Sequence, residues 1–561
     1  MIHPKNFTFI AFLLLLSAFP ALAQTKLADS DILMKALEDE MSRSVNLLQL
    51  KDFGKPYFVE YGIDDEESFE VQAEFGAINN SRFDHNRNAS IQVRIGNYDS
   101  DNTNLFATGA LAGRLPLALD DDYDAIRHDI WLATDVAYKS AIEQSSSKKA
   151  YLQNNIVEEK LPDLSHEKPT TYVQPRQKLQ IDAAKWTKFV RELSAIFKKY
   201  PEISDSSVSF YVRSENRYLI NNEGTRLREP TLLISLNIYA QAKTADNLKL
   251  APSKHFFAQS FDKMPSFDEI TNQAEKLAQD LTKLRNAPTF DETYIGPALF
   301  TERAAAQVFA QLIAPNLAAD RSPMAMRGSS GGVFSERLNR RILPPNISIT
   351  DDPTKTELNG QPLLGAYTYD EQGVLAKPLT IVENGILKNL LTNRVPVKNV
   401  PNSNGRARSN FGRPFISNLL VQTKDGKSFD ALKKDLLDSC RAQNLPYGIL
   451  FREIDSTFFP SGRSLTQPIL AYKVYVADGR EELVRNLSID AFPIRELRQI
   501  LGVGNDQFTI NELIGAGQRG SGTGYSVTAP SVLMDEIVLR KDTSSKVRPL
   551  IITNPFFDKA K

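Results

Sequence analysis

The sequence predicts an α+β protein of several domains that ends in a large mixed-β block. Three observations carry that prediction. The chain has 561 residues, several times a common domain length. Amphipathic helical stretches alternate with strand-like runs in its first half. From Ala287 onward, apolar runs of strand character are punctuated by Asn384-Gly385 and Asp478-Gly479, dipeptides that suit tight hairpin turns. Apolar residues make up 42% and charged residues 24%, enough to fill several cores. The formal net charge is −1, so no cationic surplus exists for phosphate, and nucleic acid is excluded as a principal partner.

In chain order, "MIHPKNFTFIAFLLLLSAFPALAQ" has the form of a secretory signal over residues 1–23. Lys5 supplies charge, an apolar run follows, and Ala21-Leu22-Ala23 is a small-x-small cleavage site. The run is short for a membrane span, which needs about 20 residues. Export to the periplasm or beyond is therefore expected, with Gln24 opening the mature chain; a retained N-terminal anchor is the alternative. No later segment reads as transmembrane.

A first α+β domain is expected over 24–142. It holds a capped helix in "DSDILMKALEDEMSRSVNLLQL" and strands in "PYFVEYGIDD", "ESFEVQAEFGAINNSRF" and "NASIQVRIGNY", broken at Asn79-Asn80. Residues 143–178, with "EQSSSKKAYLQNN" and "EKPTTYVQPRQ", read as a polar linker. A middle α+β domain is expected over 179–286 and the C-terminal domain over 287–561. That last domain opens with a helix in "TERAAAQVFAQLIAPNLAAD": Thr301 is the expected N-cap, Ala305, Val308, Phe309, Leu312 and Ile313 form one apolar face, and Pro315 halts it. After the first turn its polar side chains are Gln307 and Gln311.

Chemistry-bearing motifs are sparse. The histidines of the mature chain, His85, His128, His166 and His255, show no zinc-motif spacing, and all precede the C-terminal domain. The run Asp120-Asp121-Asp122-Asp124 reads as a solvated loop. "GSSGG", with Ser330 at its centre, fits G-x-S-x-G literally, but it follows no strand and no histidine lies downstream. "GAGQRGSGTG" lacks the lysine of a phosphate-binding loop and precedes a strand. Cys440 is the single cysteine, which excludes an intramolecular disulfide and suits a small buried apolar role.

Several longer stretches share an order and spacing. They are "NNEGT" (221–225), "YDEQGVLAKPLTIVENGILKNLL" (369–391), "NSNGRARSNFGRPFISNLLV" (402–421), and "LGVGNDQFTINELIGAGQ" leading to "APSVLMDEIVL". In these the chain resembles the TldD/PmbA family, the modulator-of-gyrase type of metallopeptidase. The resemblance implies a TldD/PmbA-like fold. It also implies that active members carry H-E-x-x-x-H on the helix opening the C-terminal domain, with a cysteine after V-G-N-D. Two histidines and the cysteine bind zinc there, and the glutamate is the general base. By that correspondence Ala310 stands at the first histidine, Gln311 at the glutamate, Pro315 at the second histidine and Ala516 at the cysteine.

No metal or other cofactor is expected at a site whose ligand positions have lost their donors. The family's second subunit type, TldE/PmbA, also lacks the motif and pairs with the catalytic one. The resemblance thus implies a catalytically degenerate, oligomeric protein that binds extended peptide or supports a zinc-bearing relative. Arg406, Arg408 and Arg413 are its candidate peptide contacts. An active exported peptidase with a relocated site, using carboxylates or His255, and a pure scaffold are the alternatives.

Overall fold

Alternation of apolar and polar residues over unusually long runs builds the first half of the molecule. In the computed structural model, described over residues 31–51, 53–106, 111–156, 160–326, 332–409, 412–456, 464–492, 494–515 and 522–542, strands β1 (Phe58–Glu74) and β2 (Ala77–Arg94) form one hairpin. Its turn is Phe75-Gly76, with φ of 44° and 80°, rather than the expected Asn79-Asn80. A phenylalanine in the left-handed region carries no turn signal, so the break was misplaced. Strands β3 (Leu111–Pro116), β4 (Thr171–Val173), β5 (Ile203–Asn221), β6 (Arg226–Lys243), β7 (Lys249–Leu250) and β8 (Ser253–Ala258) complete the same sheet. Its order is β3-β2-β1-β5-β6-β4, with β7 and β8 also paired to β6.

Helices α1 (Ile32–Leu47), α2 (Tyr123–Asn154), α3 (Ala183–Ala195) and α4 (Phe267–Asn286) lie on this sheet. Odd-numbered β1 residues face them: Val59, Tyr61 and Ile63 join the core under α1 and α2, while Phe69, Val71 and Ala73 join the core under α3 and α4. The structure adds to one sequence expectation and corrects another. The first and middle blocks share one sheet, since β1 pairs with β5 from Glu60↔Asn221 to Ala73↔Val208. The stretch read as a polar linker begins inside α2, which runs on to Asn154. Its buried stripe mixes Ile126, Ile130, Tyr138 and Ile142 with Thr134, Ala137, Ala141 and Lys148, and the Lys148 ammonium pairs with buried Asp163. Past Ile142 its buried residue is Lys148, so a hydrophobicity count does not see the helix continue.

The C-terminal block contains strands β9 (Tyr294–Phe300), β10 (Ile347–Asp351), β11 (Glu357–Leu358), β12 (Gln361–Pro362), β13 (Leu379–Glu383) and β14 (Ile386–Leu387). It continues through β15 (Ala407–Ser409), β16 (Arg413–Pro414), β17 (Asn418–Thr423), β18 (Tyr447–Ile454), β19 (Pro468–Tyr475) and β20 (Glu481–Val484). Strands β21 (Leu487–Ile489), β22 (Ile500–Val503), β23 (Phe508–Ile514), β24 (Thr523–Ala529) and β25 (Val532–Lys541) complete it.

One sheet runs β14-β13-β10-β17-β24-β23; the other runs β20-β19-β18-β9-β25-β21, with β22 on β25. Both mix parallel and antiparallel pairs, as expected: β17 is parallel to β24 and β18 to β9. The β13–β14 turn uses Asn384 and Gly385 at φ of 49° and 77°. A side chain on Gly385 would meet Leu343 O at 2.2 Å. Helix α5 (Glu302–Leu312) lies between the two sheets, against β18 on one side and β23 and β24 on the other. Helix α6 (Phe429–Ala442) packs outside the second sheet and buries Cys440.

Among the described residues, no helix is long and apolar enough to cross a membrane. Residues 1–23, read as a signal, lie outside them.

Charged hydrogen bonds join the C-terminal block to the first sheet. Arg394 is bidentate to Glu223 at 2.7 and 2.8 Å. Arg217 donates to Asp370 O and Tyr369 O. Lys254 pairs with Glu453 at 3.0 Å.

Candidate functional site

Strand β9 delivers the chain to Thr301, and Glu302 turns it into α5 from a left-handed conformation, φ 52°. Thr301 occupies the N-cap position, but its side chain does not cap; instead its Oγ1 accepts from Ser531 Oγ at 2.8 Å. Every residue from Ala304 to Leu312 is buried, so the helix has no solvent face. The alanines at 304–306 let both sheets close on it.

Arg303, Gln307 and Gln311, four residues apart, form a polar line along this buried helix. Gln307 Nε2 donates to Glu512 Oε1 at 2.6 Å. Gln311 Nε2 contacts Gln307 Oε1 at 3.0 Å, Asp455 O at 2.9 Å and Thr466 Oγ1 at 2.9 Å. Its Oε1 accepts from Thr466 N at 2.8 Å. The Gln311 amide therefore ties the helix to both flanks of the segment after β18.

Glu512 also accepts from Tyr525 Oη at 3.1 Å and faces Arg303 Nη2 at 3.4 Å. Burial holds the Glu512 carboxyl above its ordinary pKa, against the pull of Arg303. Burial and the neighbouring Glu512 carboxylate likewise hold the Tyr525 phenol well above its usual range. Glu453, Glu512, Tyr525 and Lys254 were not singled out from the sequence. Their spacing carries no motif; the four-residue repeat of Arg303, Gln307 and Gln311 was the available signal.

A zinc ion needs about three protein donors converging at 2.0–2.3 Å. The positions that the resemblance assigns to the ligands do not fit one. Ala310 has no donor atom. The Gln311 amide is already engaged with Asp455, Thr466 and Gln307. Pro315 sits in a 3-10 turn, Ala314–Asn316, that ends the helix. Among the described residues, no group of three or more His, Cys, Asp or Glu side chains is placed to hold a metal. Ala516 and Ser330 lie outside the described residues.

The arginine loop differs from its expectation. Arg406 is fully buried, not displayed for peptide: its Nε donates to Asp351 Oδ2 at 2.5 Å and its Nη2 to Lys377 O at 2.7 Å. Arg408 is buried too, donating to Ile416 O and Gly524 O and lying 4.3 Å over the Tyr367 ring. Burial lowers its pKa. Both guanidiniums fasten the β15–β17 region to its neighbours, a role that residue type alone does not separate from ligand contact. Arg413 is exposed and pairs with Asp320 at 2.7 Å.

Two packed sheets around a buried helix, docked on a long-hairpin sheet, define a protein of α+β architecture. Family comparison makes this specific. The PmbA/TldA metallopeptidase C-terminal domain matches residues 293–541, and the central domain of the same proteins matches 176–282. The chain belongs to the TldD/PmbA family.

A metalloprotease of Methanothermobacter thermautotrophicus is 29% identical over 187 residues, 33% of this chain and 37% of that one. Another, from Archaeoglobus fulgidus, is 35% identical over 112 residues, 19% of this chain and 24% of its own. The matched segments thus span well under half of these relatives. TldE from Thermococcus kodakarensis superimposes with a TM-score of 0.57 at 13% identity, over 90% of this chain and 100% of TldE. A proposed modulator of DNA gyrase from Thermotoga maritima gives 0.56 at 17% identity, over the same shares, 90% and 100%. At such identities the structures share the fold.

Proposed function

We propose that this chain is an exported, zinc-free member of its family that binds extended peptide and serves as partner subunit to a zinc-bearing relative. One observation carries the reading: at the position of the general base, a glutamine amide is built into the hydrogen-bonding of the fold. An amide cannot accept a proton from water at neutral pH, and here it is held by Gln307, Asp455 and Thr466. The family frame is retained around it, which favours a role in binding.

Edge strands supply the means. Among the described strands, β8 and β23 are each paired on one side, and they approach within 8 Å at the seam between the blocks. Backbone groups on such an edge pair with an extended peptide whatever its side chains. The solved TldE relative supports the partner role through its shared fold. The signal-like first 23 residues support export.

The test is to mix the mature chain with a zinc-bearing family member from the same cell and follow sedimentation, and to titrate each with a labelled unfolded peptide. A stable complex, or peptide binding by this chain alone, is the expected result. A strictly monomeric chain that binds neither would refute the proposal.

A further inference from the structure

Strand β8 carries an arrangement outside the family's zinc positions. Phe256 packs into the core with Leu236 and Ile238, so Ser253, His255 and Phe257 take the opposite face of the strand. On that face Ser253 Oγ and His255 Nε2 are 2.9 Å apart. Both side chains are half-buried, and β8 is paired only with β6 among the described strands. Asn237 is the cross-strand neighbour of His255, and its Oδ1 is buried without a hydrogen-bond partner among the described residues. Arg303 of α5 lies within electrostatic reach of the imidazole. Its Nε is buried, unbonded, and 3.6 Å from Glu453 Oε1. Asp455, just past β18, acts on the imidazole with the opposite sign.

We infer that Ser253 and His255 form a nucleophile–base pair for metal-independent acyl transfer to water, acting on an ester or peptide carbonyl laid along the β8 edge. The peptide version rests on the seam-binding reading above; the chemistry on a small ester does not. Ser253 Oγ attacks the carbonyl carbon while its proton passes to His255 Nε2. The carbon–oxygen or carbon–nitrogen bond then breaks, and the leaving group takes that proton. Water attacks the acyl-serine, gives a proton to His255, and the serine recovers it as the acid departs. Asp455 offsets the charge of Arg303 at the imidazole.

Burial and Arg303 pull the imidazole down to about 4, so it is neutral throughout the neutral range and a weaker base than a free imidazole. The charged groups acting on it are Arg303 of α5, Asp455 just past β18 and Lys254 of its own strand, and its polar neighbours are Ser253 of the same strand and Asn237 of β6.

The test treats the full chain with a fluorophosphonate probe and reads intact mass, peptide mapping and 4-nitrophenyl acetate hydrolysis. One adduct on Ser253 is expected, absent in Ser253→Ala and formed about 100-fold more slowly in His255→Gln. The labelling rate should be flat through neutrality and fall only as pH approaches about 4. Ser253→Ala, at a half-buried edge position, keeps the test decisive if His255→Gln misfolds. No adduct, an adduct elsewhere, or equal labelling of Ser253→Ala would overturn the pair. Peptide binding by the wild-type chain, measured in parallel, reports on the seam separately.

Discussion

Replacing Gln311 by glutamate supplies the residue that the family resemblance expects at the general-base position, and the structure predicts that it harms this protein. The present amide gives its two N–H groups to Gln307 Oε1, Asp455 O and Thr466 Oγ1. A carboxylate in the same place turns those donors into an acceptor facing two carbonyl oxygens, and keeps only the contact from Thr466 N. Two net hydrogen bonds at about 1 kcal/mol each, with the desolvation of a buried acceptor left unpaired, give a loss of about 3 kcal/mol at pH 8. The new carboxyl would resist ionisation in the fold, so its folded pKa lies above the unfolded one. The loss should therefore be full above the folded pKa and shrink as pH falls toward the unfolded value. Denaturant unfolding followed by far-ultraviolet circular dichroism at pH 5 and pH 8 measures both effects. A variant as stable as the wild type at pH 8, or one whose loss is unchanged at pH 5, would refute the structural role of the amide. Zinc uptake by this variant would refute it equally.

The arginines and two seam carboxyls give further tests. Arg406→Leu leaves Asp351 buried without its counter-charge, so it should cost about 3–5 kcal/mol or abolish soluble expression, whereas exposed Arg413→Ala should cost about 1 kcal/mol or less. Equal effects in denaturant titration would contradict the burial difference. Burial pushes the Glu60 and Glu371 carboxyls up to about 7. The folded chain thus holds protons that the unfolded chain has released, and stability should decline as pH rises from about 4.5 to about 7. A stability curve that rises across that window would contradict the assignment, and so would one whose slope Glu60→Gln with Glu371→Gln fails to reduce.

Much of the architecture was legible because it rests on periodicity. The alternation in β5 and β6, the caps Asp31, Ser266 and Ser428, and the Asn384-Gly385 turn each state their structure locally. What stayed hidden rests on long-range pairing. Nothing near Phe58 announces that β1 will pair with β5 some 150 residues later and join the first and middle blocks in one sheet. The α2 extension depends on Lys148 finding Asp163, and the Phe75-Gly76 turn puts a bulky residue where glycine or asparagine is usual.

At the site, α5 read as one apolar face because a small alanine suits a solvent-facing side as well as a buried one; between two sheets its alanines permit burial all round. Gln307 and Gln311 were visible as oddities, yet their partners Glu512, Asp455 and Thr466 come from distant strands and loops. Arg406 and Arg408 carry the same charge whether buried or displayed, and only their carbonyl and Asp351 partners separate the two cases.

The direct test of the central claim is the metal content of the purified mature chain after incubation with equimolar zinc and removal of free ion. The account predicts fewer than about one zinc per ten chains, with any peptide cleavage unchanged by chelator. One zinc retained per chain, together with cleavage that a chelator abolishes and zinc restores, would contradict it.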